Sequence, residues 1–237
     1  VIPIFEKLRR TNSEHMKIGV LTGSIIILPV SACELFEACA ESRGETKLTY
    51  NPLPYDTGYI QVALTEGLKN DVVKIVTDVF QKGGIEILIG TKSLLGEGWD
   101  APVLNSLVLA SFVGSFVLSN QMRGRAIRVE KGNREKASNI WHLVCVDPTA
   151  SDGGNDVEML KRRFRSFVGI SYLETGGIEN GISRLGLPAD FSDAEAIDAA
   201  NDRAFLRASQ REKLKDQWER ALGNGVSLVE EIKIPRD

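Results

Sequence analysis

Along the first 150 residues the apolar positions switch repeatedly between a helical and a strand-like period. In KIGVLTGSIIILP, Lys17 to Pro29, two short β-branched runs flank Thr22, Gly23 and Ser24, and Ala32 to Ala40 then reads as a helix. The clearest helical stripe is Val72, Val76, Val79 and Phe80. Asn70 is placed to cap it, Asp71 suits its positive end, and Gly83-Gly84 stop it. Ile85 to Ile89 (IEILI) reads as a buried strand, Leu107 to Ala110 (LVLA) as another, and Ile140 to Val146 (IWHLVCV) as a third. Strands alternating with helices predict an α/β domain with a mainly parallel sheet covered on both faces. In such sheets ligands gather beyond the carboxyl ends of the strands. Past Asp147-Pro148 the pattern changes. SDGGN (151–155) reads as a linker, KRRFRSF as a helix, and Gly176 to Gly186 as a glycine-rich passage; Ser192-x-x-Glu195 then opens a helical pattern reaching Leu222. The expected organisation is one α/β domain over 1–150 and a mainly helical region over 151–237.

Composition narrows this little. The chain has 237 residues, 43% hydrophobic and 26% charged, with a formal net charge of −3. That is the balance of an ordinary globular protein, and no apolar run approaches the ~20 residues that cross a bilayer. Cys33, Cys39 and Cys145 are odd in number and lack C-x-x-C spacing, so neither a disulfide framework nor a zinc site is expected, and a cytoplasmic location fits best. The Val1 start points to a piece of a larger protein.

Charge does change the picture locally. QMRGRAIR, Gln121 to Arg128, puts three arginines within six residues, and residues 123–136 carry six Lys/Arg against two Glu. If Ser115 caps a helix running through this stretch, Gln121, Arg125 and Arg128 fall at i, i+4 and i+7 on one face. Met122, Ala126 and Val129 share another face, and Arg123 belongs to neither. Spacing alone equally suits a solvated helix face with cations near its negative end. After the IEILI strand comes GTKSLLGEGWDAP, Gly90 to Pro102, where Thr91, Lys92, Ser93 and loop N–H groups can meet phosphates and Asp100 can accept from a ribose hydroxyl.

The two stretches together resemble a known family. Thr91, Leu94, Glu97, Gly98 and Asp100 form T-x-x-L-x-x-E-G-x-D, and about twenty residues later comes Q-x-x-G-R-x-x-R, with LVLA between. The series resembles motifs V and VI of superfamily-two DEAD/DEAH-type helicases and translocases, most similar to the branch of type III restriction subunits and excision-repair helicases. The resemblance covers roughly residues 14–148. It implies the second RecA-like domain of a motor, a three-layer α/β/α fold, with ATP and Mg²⁺ held mainly by an N-terminal RecA-like domain elsewhere in the same protein. Gln121 would orient the γ-phosphate or the attacking water, and Arg125 and Arg128 would neutralise charge on the transferred phosphoryl group. Gly98, Asp100 and Gly124 would lie near the nucleotide. Thr91 and Lys92, with Ser24 in the stretch that takes the place of motif IV, would meet the nucleic acid, DNA ahead of RNA. No membrane partner is implied.

The chain contains no G-x-x-x-x-G-K-[ST] and no strand ending in a D-E-x-x motif, so by itself it is expected not to hydrolyse ATP. The other expectation is a non-catalytic RecA-like module that only binds nucleic acid or protein. KRRFR can pair phosphates and stack a base, or form a charged outer helix face. His142 is expected to be a hydrogen-bonded structural histidine, and Trp99 to pack the motif V loop rather than stack on a base.

Overall fold

The computed structural model describes residues 1–93, 99–110, 116–174 and 176–227, with backbone alone at 116–118. The chain divides into two compact units, Val1–Val103 and Leu104–Asp237. The position near residue 150, where composition changes, falls inside the second.

The first unit contains α1 (Ile2–Arg10), β1 (Ile18–Leu21), β2 (Ile26–Pro29), α2 (Cys33–Glu41), β3 (Tyr50–Leu53), β4 (Asp56–Val62), α3 (Glu66–Gln81) and β5 (Ile87–Gly90). The strands form one sheet in the order β3-β4-β2-β1-β5. Only the β1·β5 pairing is parallel; β1·β2, β2·β4 and β3·β4 are antiparallel. This corrects the expectation of a mainly parallel sheet. Four residues separate β1 from β2 and two separate β3 from β4, connections that can only reverse the chain. A parallel neighbour needs a crossover, and α3 lies on the long connection that brings β5 back beside β1.

Every residue of β1 and β2 is buried, because helices cover both sheet faces. Leu21, Ile26 and Leu28 pack with Phe36 of α2 and Leu68, Val72, Ile75, Val76 and Val79 of α3. Ile18, Val20 and Ile27 point the other way and pack with Phe5 of α1. Gly19 is small for a reason: a Cβ there would lie 2.8 Å from Ile85 Cδ1. The cap of α3 is Thr65, not Asn70; its Oγ1 accepts from the Leu68 N–H at 3.3 Å. Leu68 lies one turn before Val72 and extends the buried stripe N-terminally, which places Asn70 within the helix.

The second unit contains β6 (Ser106–Leu109), α4 (Phe116–Ala126), β7 (Asn139–His142), α5 (Asn155–Phe164), β8 (Gly169–Ile170), β9 (Ile178–Glu179), α6 (Ala194–Ser209), α7 (Leu214–Gly223) and β10 (Val226–Ser227). β6 and β7 pair in parallel, from Ser106 opposite Asn139 to Leu109 opposite His142, and α4 crosses between them and packs on both. β8, β9 and β10 form a small three-stranded sheet. SDGGN is a packed turn rather than a loose linker: the Asp147 N–H donates to Gly153 O, and a Cβ on Gly153 would strike Val157 and Phe191. α6 starts at Asp193, whose Oδ1 accepts from the Ala196 N–H, while Ser192 donates to Asp190 instead of capping. The helical pattern breaks at Gln210 before α7. Among the described residues no helix is long and apolar enough to cross a membrane. The architecture is mixed α/β.

Candidate functional site

The residues singled out from the sequence fall into two groups, one in each unit. In the first, Leu21 ends β1 opposite Gly90, which ends β5, so the segments leaving both strands start from one sheet edge. After β1, the Thr22 hydroxyl closes a turn, accepting from the Ser24 N–H at 3.3 Å and the Ile25 N–H at 2.9 Å. Ser24 is exposed on that turn. After β5, Thr91 Oγ1 lies 3.1 Å from Ser93 Oγ, with Lys92 exposed between them. Ser24, Thr91 and Lys92 therefore share the carboxyl edge of two parallel strands. Hydroxyls, an ammonium and turn N–H groups there are chemically suited to phosphodiester oxygens.

Leu94, Glu97 and Gly98 lie outside the described residues. Trp99, which follows them, is 6% exposed and donates from Nε1 to Thr77 Oγ1 at 2.8 Å, beside the Phe80 ring. Its indole is a peg into α3 and no base can stack on it. The adjacent Asp100 is exposed, and its carbonyl accepts from Gln81 Nε2 at 3.1 Å. Two contacts with α3 thus fix the segment at Trp99 and Asp100. Sequence reading anticipated the packing of Trp99 but not its partner. The signal was present in Thr77, a hydroxyl on the otherwise apolar face of α3.

In the second unit, Gln121 and Arg125 occupy the last two turns of α4, one exposed and the other 7% exposed. The expected cap at Ser115 lies outside the described residues. The helix ends at Ala126, so Arg128 does not continue the face of Gln121 and Arg125 as i+7. Ser138 Oγ donates to Ala126 O at 2.6 Å and Lys136 Nζ donates to Arg128 O at 2.8 Å, so groups from downstream take up carbonyls at the helix end. Arg128 sits exposed on the turn just beyond, its N–H directed at Arg125 O. Val129 is 81% exposed and does not pack with Met122 and Ala126 as their common spacing predicts. A Cβ on Gly124 would meet no atom within 4 Å, which leaves the helix surface open beside Arg125.

Arg123, which the helical wheel left without a role, has a defined contact. Its Cζ lies 3.6 Å from the centre of the Phe167 ring. Phe164 and Phe167 are buried with Leu160 and Ile182, so the aromatic of KRRFR serves an apolar cluster and is not exposed for base stacking. Arg163 is buried beside it, and Arg162 and Arg165 are exposed. His142 packs against both rings at 5.2 and 6.1 Å. Its buried Nδ1 has no hydrogen bond among the described residues, so the expected hydrogen-bonded histidine is instead one held by packing. Burial, with the charges of Arg163 and Arg123 behind it, pushes its pKa down to about 4.

Among the described residues no three His, Cys, Asp or Glu side chains converge as a metal group. No family model matches the chain, and no curated protein or solved structure matches it either.

Proposed function

We propose that this chain is the second RecA-like motor domain of an ATP-dependent nucleic-acid helicase or translocase. The observation that carries the reading is the placement of QMRGRAIR. It occupies the end of a helix that crosses between two parallel strands, and it follows the segment that opens with Thr91 and Lys92 at the carboxyl edge of another parallel pair. That combination gives two ligand edges of the kind such motors use, one for nucleotide and one for a nucleic-acid backbone.

In this reading ATP with Mg²⁺, held mainly by another RecA-like domain of the same protein, supplies the phosphoryl group that is transferred to water. The open surface at Gly124 and the permanently charged forks of Arg125 and Arg128 fit a triphosphate; a lysine would not substitute, since it lacks the planar bidentate geometry. Gln121 orients the nucleophile. Ser24, Thr91 and Lys92 hold the backbone of the nucleic acid, taken to be DNA.

In the full-length protein, Arg128→Ala is expected to lower nucleic-acid-stimulated ATP turnover at least ~10²-fold while nucleotide binding changes little, because finger arginines act in the transition state. Arg125→Ala should do the same. Arg125 is buried, so its thermal unfolding is followed in parallel; Arg128 is exposed and needs no such control. Unchanged turnover in Arg128→Ala and in a folded Arg125→Ala would refute the finger assignment. Nucleic-acid binding without any turnover in the wild type would favour the non-catalytic module.

A further inference from the structure

The α-helix steps 100° per residue, so Gln121 and Arg125 lie within about 40° of each other and Arg123 lies on the opposite side of the cylinder. That reverse side is where α4 meets the segment beyond residue 150. The guanidinium of Arg123 sits over Phe167, its Cζ 3.6 Å from the ring centre. Phe167 is a firm seat. It is 2% exposed, sits 5.4 Å from Phe164 in an edge-on pair, and belongs to a buried cluster with Leu160 and Ile182. His142 of β7, the strand on which α4 also packs, lies against both rings. A second guanidinium, Arg184, covers Phe164 at 5.7 Å. Its place exists because residue 169 is glycine: a Cβ there would lie 2.9 Å from Arg184 Cζ.

We propose that Arg123 is a positioning residue: by stacking on Phe167 it fixes the rotation of α4 and thereby the aim of Gln121 and Arg125. The proposal rests on the motor reading above and extends it, because it makes the region after residue 150 part of the nucleotide machinery. Arginine suits this task better than an aliphatic residue or lysine. Its plane stacks on a ring face while its N–H edges keep their polar surroundings, and the desolvated charge is attracted to the ring quadrupole. Burial pulls the Arg123 pKa down, yet a guanidinium stays charged. The mechanical consequence follows from helix size. Side chains reach about 5–6 Å from the axis, so a ~10° rotation of α4 moves the Arg125 side of the helix by about 1 Å. Misplacement on that scale can cost ~10²-fold in rate.

The test compares Arg123→Ala, Arg123→Lys, Phe167→Leu and the Arg123→Ala/Phe167→Leu double variant in the full-length protein. The expected result is a ~10- to 100-fold fall in kcat for nucleic-acid-stimulated ATP hydrolysis with nucleotide KM within ~3-fold of wild type. Arg123→Lys should recover only part of the loss, and the double variant should be no worse than the more damaging single one, as for two halves of one contact. Amides of residues 121–126 should exchange at least ~10-fold faster in Arg123→Ala, with those of α3 unchanged. Wild-type kcat in Arg123→Ala, full rescue by lysine, or additive losses in the double variant would each overturn the positioning role. Turnover absent from the wild type would overturn the motor reading together with it, whereas turnover that ignores Arg123 sinks this inference alone.

Discussion

His142 shows at the scale of one residue how an environment decides what a side chain does. Wedged against Phe164 and Phe167 and facing Arg163 and Arg123, it stays neutral in the fold, whereas the unfolded chain takes up a proton near pH 6.5. Between pH 6.5 and about 4 the unfolded state therefore binds more protons, so stability is complete above pH 6.5 and falls as the pH drops through that window. With the folded pKa at about 4, the loss is on the order of 3 kcal/mol. Urea unfolding of wild type and His142→Leu at several pH values checks this: the slope should flatten in the variant, and identical slopes would discard the assignment. The sequence marked His142 as structural from its apolar strand, but Phe164 and Phe167 lie far along the chain and no local pattern links them to it. Arg123 taught the same lesson in reverse. A helical wheel excluded it from the face of Gln121 and Arg125, and the contact that gives it a role comes from that exclusion.

The helix α3 carries the most information at the scale of elements. Its apolar stripe was readable because burial against a sheet enforces a 3.6-residue period over sixteen residues. Its start was misread because Leu68, four residues before Val72, was not counted into the stripe; Thr65 then becomes the cap. Thr65→Ala is expected to cost about 1 kcal/mol, and Ile75→Ala, which empties a fully buried site, about 2–5 kcal/mol in chemical denaturation. The two outcomes should differ by at least twofold, and equal costs would mean that the cap is misplaced. Trp99→Phe removes the bond to Thr77 and should cost about 1 kcal/mol. The end of α4 was not readable. An amphipathic pattern can be drawn through Arg128, but Ser138 takes up the Ala126 carbonyl at the helix end and Lys136 the Arg128 carbonyl just beyond it, and both are later in sequence.

At the scale of the molecule the chain is two units, each with its own packing. Both apolar clusters against the five-stranded sheet draw only on residues before 104. Residues 1–103 expressed alone should therefore unfold in one cooperative transition in denaturant; a gradual, non-cooperative loss of helical signal would show that the unit depends on its neighbour. By itself the sequence determined where most strands and helices lie, because burying one face imposes a period that is local to each segment. It also displayed the two stretches on which the proposed motor reading rests, since a motif is local too. Only the tertiary structure decided that the sheet of the first unit is mixed, that α4 stops before Arg128, and that Arg123 stacks on Phe167. Strand direction, helix ends and ring contacts depend on groups brought together from distant parts of the chain, and one-dimensional periodicity carries no record of them.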